Sequence, residues 1–287
     1  MLAVRIFGGL GNQMFQYAFY EFLKKNNTDV VIDTSDFKVH NHHQGYELNR
    51  AFSIKEQFIE NIKLKEWTKT KSSLFTRVMG KIGKVISSSD EFCELQYNSR
   101  ILDETIKRDV YFNGFWQDLY YVNLVETELK ERFRFPEIND EKNKSFEEEC
   151  KKKTIISVHV RRGDYLKDKN FNSICGYEYY RKAIILMKEK YPDACFAFFS
   201  DDLNWCKEKF GDSNNNNNIY VDWNTGTNSF RDMQLMSLCK HNIIANSTFS
   251  WWGAWLNSNT NKTVIIPYQW TKTQDSHLIC GRDWIAI

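Results

Sequence analysis

The sequence carries no excess of either charge. Lys and Arg total 39 against 37 Asp and Glu, a formal net charge of +2 over 287 residues, whereas nucleic-acid binding wants a concentrated basic surface. It has no C-x-x-C pair. The seven cysteines (Cys93, Cys150, Cys175, Cys195, Cys206, Cys239 and Cys280) are odd in number and scattered, which argues against a zinc cluster or a disulfide scaffold and suits a reducing compartment. It has no run of about 18 apolar residues of the kind a membrane-spanning helix needs. Near Met1 no charged segment leads into a hydrophobic stretch, so no export signal is expected. There is no internal repeat. These absences predict a soluble, cytoplasmic protein that binds no nucleic acid. What is present is globular: 42% hydrophobic, 26% charged and 15% aromatic residues, in a chain long enough for one large or two modest domains of about 50–250 residues each.

Short β-rich runs alternate with helical patterns. Strands are expected at 3–7, 30–33, 154–160, 195–200, 219–222, 242–245 and 263–266. Between them Met14, Ala18 and Phe22 share one helical face, as do Tyr177, Tyr180, Ile184 and Met187, in a helix started after Gly176 and stopped before Pro192. A further helix is expected to open with a capping box, Ser229 paired with Asp232. This alternation predicts an α/β fold with parallel sheets. The Glu- and Lys-rich stretch 126–153 reads as a surface helix and an inter-domain connection, and the asparagines at 214–218 as a surface loop.

Four segments carry chemistry, each where a strand hands over to a turn or helix. In the first (Gly8, Gly9, Leu10, Gly11, Asn12, Gln13), glycines allow close backbone approach, and the helix start offers N–H groups to an anion or a sugar hydroxyl. A dinucleotide fingerprint is a rival here, with Asp33 placed as the ribose-binding acid, but Met14 stands where its third glycine belongs. The second segment places His159, Arg161 and Arg162 at a strand's carboxyl end, followed by Gly163, Asp164 and Tyr165. Arginine's fixed fork of donors suits a pyrophosphate. Alternation points the two arginines opposite ways, leaving one of them to a structural role.

The third segment, Ser200, Asp201 and Asp202 with Trp205 beyond, offers paired carboxylates for a metal, for a nucleoside edge or for a helix cap. The fourth sets Asn246, Ser247, Thr248 and Ser250 at a helix start, where hydroxyls and unpaired N–H groups favour an anion; Trp251, Trp252 and Trp255 behind them suit packing. If the sheets are parallel, the last three segments face one cleft. Asn246, Ser247 and Thr248 also match a glycosylation sequon, and Arg162, Gly163 and Asp164 an adhesion tripeptide; neither has meaning in a chain without export.

Taken in order, these segments resemble glycosyltransferase family 11, the α-1,2-fucosyltransferases, in their bacterial form. The resemblance spans nearly the whole chain and adds Asn113, Gly114, Phe115, Trp116 and Gln117 to the four motifs. It implies a glycosyltransferase B fold, two Rossmann-like domains facing across a cleft: residues 1–150 on the acceptor side, with the linker, and residues 151–287 binding GDP-fucose. It implies an inverting transfer of L-fucose from GDP-fucose to the 2-hydroxyl of a galactose-terminated oligosaccharide, in surface glycan biosynthesis. GDP-fucose is a co-substrate; neither cofactor nor metal is expected, and peripheral association with membrane glycan machinery is.

By the same resemblance His159 and Asp202 contact guanosine. Arg161 and Arg162 bind the pyrophosphate, with Ser247, Thr248 and Ser250 around it. Gly11 and Asn12 count among the donor-binding residues, Asn12 and Gln13 reach the acceptor or the sugar, and Arg161 and Asn12 are the candidates for catalysis. The base is open, with Glu47 and Asp36 as guesses. A nicotinamide-dependent oxidoreductase and a non-catalytic nucleotide- or glycan-binding module are the alternatives.

Overall fold

In a computed structural model, residues 1–39, 44–54, 110–211 and 218–287 are described; Cys93 and most of the asparagine tract lie outside them. The chain divides into two compact units, 1–134 and 135–287.

In the N-terminal unit the apolar run Leu2, Ala3, Val4 forms β1 (Leu2–Arg5), paired in parallel with β2 (Val30–Asp33) and with β3 (Val110–Phe112). Between β1 and β2 lies α1 (Leu10–Lys24), apolar on more than one face and accordingly buried along most of its length. Phe19 and Phe22 meet α4 (Leu119–Leu124) through Tyr121, at ring separations of 5.0 Å. The short helices α2 (Asp36–Val39) and α3 (Leu48–Phe52) precede β3, and α5 (Glu126–Arg132) closes the unit.

The C-terminal unit opens with α6 (Glu141–Lys152), capped by Asp140, whose side chain accepts from the Asn143 amide. Its sheet contains β4 (Ile155–Val160), β5 (Cys195–Ser200), β6 (Ile219–Val221), β7 (His241–Ile243), β8 (Val264–Ile266) and β11 (Ile285–Ala286). All pairings are parallel, in the order β6-β5-β4-β7-β8-β11. Taking β4 as the first strand, that is the doubly wound dinucleotide-fold order 3-2-1-4-5-6. Every residue of β4 is buried, as a central strand covered on both faces requires. Ile156, Val158 and Val160 pack with Phe196 and Phe198 and with Tyr180, Ala183 and Met187 of α7 (Tyr177–Lys190). The sheet is completed by α8 (Leu203–Phe210), α9 (Phe230–Leu238) and α10 (Thr248–Leu256), and a hairpin of β9 (Gln269–Thr271) and β10 (Gln274–Asp275) follows β8.

The boundary expected at 150/151 falls instead at 134/135. What read as a linker contains α6, a core helix of the second unit: Phe146 meets Phe199 and Trp223, and Asn143 bonds with Asn224. Each of the seven expected strands is present to within two residues at its ends, while β3 and the short β9, β10 and β11 were not foreseen. The expected capping box also fails. Ser229 is helical and makes no side-chain cap, and Asp232 accepts instead from Asn224.

Candidate active site

In the sheet order, successive strands β4, β5 and β6 run to one side and β7 restarts on the other flank of β4. The crevice between β4 and β7 is thus the topological switch point, where open α/β sheets bind ligands beyond the strands' carboxyl ends. The residues leaving β4, β5 and β7 are the second, third and fourth motifs, so three segments far apart in sequence end on neighbouring strands.

The turn after β4 is built on Asp201. Its carboxylate accepts from the amides of Arg162 (2.9 Å) and Gly163 (3.1 Å) and pairs with the Arg161 guanidinium at 3.0 Å. A Cβ at Gly163 would lie 2.9 Å from an Asp201 oxygen, so a larger residue there would have to push that carboxylate aside. Asp202 caps α8 through the Trp205 amide (3.2 Å) and binds Arg162 Nε at 3.0 Å with its other oxygen. The arginines diverge. Arg162 lies over the Trp205 ring at 4.1 Å, whereas Arg161 pairs with Asp164 and Asp201 and stands 5.6 Å from the Tyr165 ring. Asp202, expected at guanosine, also holds the helix start and Arg162.

Toward β7, the Tyr165 hydroxyl donates to the Asn246 carbonyl at 3.2 Å and stands within hydrogen-bonding reach of the Ser247 hydroxyl. Burial pushes the phenol up to about 12. His159 lies 5.9 Å, ring to ring, from Phe249, and its Nδ1 is buried with no partner among the described residues. Burial and the Arg161 charge hold its imidazole down to about 3, so it is neutral, with one ring nitrogen a donor and the other an acceptor. Ser247 is the N-cap of α10, and Thr248 begins the helix. Ser250 is set back: it is fully buried and its hydroxyl donates to the Ser247 carbonyl, stiffening the helix start. Trp251 and Trp252 are fully buried packing residues, as expected.

In the N-terminal unit Gly8 has φ +78°, the left-handed turn for which glycine was needed. Gln13 is fully buried and structural, its amide donating to the Gly8 and Gly45 carbonyls and accepting from the Glu47 amide. Asn12, one turn into the same segment, is only partly buried and accepts from Gln117 at 3.0 Å; Gly11 beside it is buried in the first turn of α1. Of the two guessed bases, Asp36 pairs with Arg5. Glu47 is buried against the Leu10 amide, and burial raises its carboxyl while Arg50 opposes. Asp33 is not poised for a ribose: it accepts from the Ser35 amide at 2.8 Å and the Tyr111 hydroxyl at 2.6 Å. Among the described residues no three His, Cys, Asp or Glu side chains gather as a metal site, and no helix is long and apolar enough to cross a membrane.

Sequence reasoning missed two residues at the strand ends. Tyr165 was read as the tail of a motif, and nothing local marks it as the link to a segment 81 residues away. Asp201, offered by the sequence as a metal or nucleoside ligand or a helix cap, takes its three donors from a turn 38 to 40 residues earlier, which no local signal marks.

Comparison with known proteins bears on the fold and the family. A solved NodZ α-1,6-fucosyltransferase, co-crystallised with GDP, superposes with a TM-score of 0.51 at 15% identity, covering 89% of this chain and 91% of that one. The architecture is thus the glycosyltransferase B type. An α-1,2-colitosyltransferase of Escherichia coli is 33% identical over 294 residues, covering 100% of this chain and 99% of that protein. The O-antigen biosynthesis glycosyltransferase WbnK of Escherichia coli is 29% identical over 98% of both chains. The human galactoside α-(1,2)-fucosyltransferase 1 is 31% identical over 107 residues, 36% of this chain and 29% of its own. The family model for glycosyl transferase family 11 matches residues 1–287, and the chain belongs to that family.

Proposed function

We propose that this glycosyltransferase moves L-fucose from GDP-fucose to the 2-hydroxyl of a terminal galactoside, with inversion, in the building of a surface glycan. The observation that carries the reading is the join at the switch point: Tyr165, four residues beyond Arg161, is bonded to Asn246 immediately before the Ser247 cap of α10. A guanidinium and a helix N-terminus on the two sides of one crevice form a site for a diphosphate.

His159, neutral, is assigned to the guanosine, and Arg161 to the pyrophosphate, with Ser247 and Thr248 across from it. Arg162 and Asp202 hold the turn, and Ser250 holds the helix start. Gly11 and Asn12 are the N-terminal unit's residues assigned to the donor sugar. In the reaction the acceptor oxygen forms a bond to the anomeric carbon as the bond to GDP breaks. The electron pair goes to the leaving β-phosphate, and the hydroxyl proton to solvent or a base. The main task of the protein is to stabilise the charge growing on that phosphate, which is the role given to Arg161.

The whole-length similarity to a colitosyltransferase favours one second reading. Colitose is L-fucose without its 3-hydroxyl, so a GDP-linked 3-deoxy sugar is the competing donor. A site that hydrogen-bonds the hydroxyl rejects the deoxy sugar by roughly 10⁴–10⁵, whereas a site moulded to the deoxy sugar rejects the hydroxyl far less strongly, by about 10². The test is to incubate the protein with each donor and with lactose, N-acetyllactosamine and a β-1,3-linked galactoside, and to weigh the products. A gain of one fucose on a galactoside supports the proposal. GDP binding without any turnover would leave only the binding-module reading.

A further inference from the structure

A partly exposed aromatic shelf stands at the carboxyl ends of β1 and β3. Val4 and Phe112 are paired in register, and three residues beyond each come Phe7 and Phe115, whose rings lie 4.9 Å apart. The Arg5 guanidinium also lies against the Phe7 ring, at 4.7 Å, held there by Asn113 and Asp36. Phe115 is 40% exposed. The two loops are tied together by a fully buried side chain: Gln16 accepts from the Phe7 amide at 2.9 Å and donates to the Gly114 carbonyl at 3.3 Å.

The chain bears strain to present this ring. Trp116, next to Phe115, is a non-glycine residue at φ +54°, a strained conformation that gathers at ligand sites. Trp116 turns inward and stacks on Phe19, with centroids 3.8 Å apart and planes within 3°. Its indole N–H is buried there without a partner among the described residues. An ordinary extended residue at 116 would carry neither cost. The reversal sends Trp116 into the core and leaves the Phe115 ring at the surface. Two residues past Phe115, Gln117 bonds Asn12, so an amide pair accompanies the shelf.

We propose that Phe115, backed by Phe7, is the platform on which the galactopyranose of the acceptor stacks. Galactose gathers C–H groups on one face, because its 4-hydroxyl is axial; that face suits an aromatic ring, while the rim hydroxyls suit amides. The proposal rests on the reading of the chain as a galactoside-directed transferase and assigns the acceptor residue that reading leaves open.

The experiment compares F115A, F115L and F115W with the wild type, on whichever of the three galactosides the wild type modifies. F115A should raise the acceptor KM roughly tenfold, the loss of about one stacking contact, while the donor KM moves less than about twofold. F115W should restore the acceptor KM, and F115L, which keeps bulk without a π face, should not. Thermal melts of all four proteins show that each is folded. An unchanged acceptor KM in F115A, equal rescue by leucine, or a donor KM that rises in step would overturn the platform and leave the transferase reading intact. A folded wild type that transfers nothing to any galactoside sinks that reading, and the platform with it.

Discussion

The hydroxyl of Tyr165 donates to the carbonyl of Asn246, 81 residues later, across the crevice between β4 and β7. This bond joins the arginine-bearing turn to the start of α10. Tyr165→Phe keeps the ring beside Arg161 but removes the tether. Because small misplacements of positioning groups cost up to about 10²-fold, kcat should fall by roughly tenfold with GDP affinity little changed. Calorimetry with GDP beside initial rates checks this, and wild-type kcat in the variant would refute the tether's importance.

The two arginines should separate by phenotype. Arg161→Ala is expected to cut transfer by about 10²-fold or more, as loss of a single charge-stabilising donor does elsewhere. Arg162→Ala removes the group lying over Trp205 and bound to Asp202, and should lower the melting temperature by roughly 2–4 °C more than Arg161→Ala. Paired rates and melts decide it. Full turnover by folded Arg161→Ala would end the assignment.

Chelation should leave activity intact. The carboxylates of Asp201 and Asp202 already take donors from Arg161, Arg162, Gly163 and Trp205, so neither is left as a bare acidic site. Activity after dialysis against EDTA is the measurement; a strict need for Mg²⁺ or Mn²⁺ would return those two residues to a metal.

Asp232 sets a pH dependence of stability. Burial raises its carboxyl from 3.8 to about 7, with Asn224 opposing, so between those values the folded chain keeps a proton that the unfolded chain has lost. Stability from this group is therefore present at low pH and falls as pH rises through about 7. His159, depressed from 6.5 to about 3, acts oppositely: its contribution is lost as pH falls below 6.5. Melting wild type and Asp232→Asn side by side isolates the first effect. The wild type's relative advantage should shrink from pH 5 to pH 8, and a constant difference would contradict the raised carboxyl.

The strands were legible because each buried run is locally apolar and bounded by turn residues, as in Val30–Asp33 and Cys195–Ser200. The surface helix at the start of the Glu- and Lys-rich stretch was legible as α5, but α6 after it was not. A polar helix with only Phe146, Asn143 and Cys150 buried looks like a linker until Phe199 and Trp223 are seen against it. Asp232 has the spacing of a cap partner, and only the position of Asn224 shows otherwise.

The sequence alone determined the alternation of strand and helix, the glycines at the turns, and the kinds of side chain at the strand ends, since these depend on neighbours a few residues away. Tertiary structure decided which of those side chains are spent within the protein. Asp201 and Asp202 are spent on the arginine turn and a helix cap, Gln13 and Gln16 on loops, and Ser250 on its own helix, while the buried His159 keeps an unpartnered nitrogen. The reason is geometric: a hydrogen bond is settled within about 3 Å in space, and the parallel order of β4, β5 and β7 makes neighbours of residues that the chain keeps far apart.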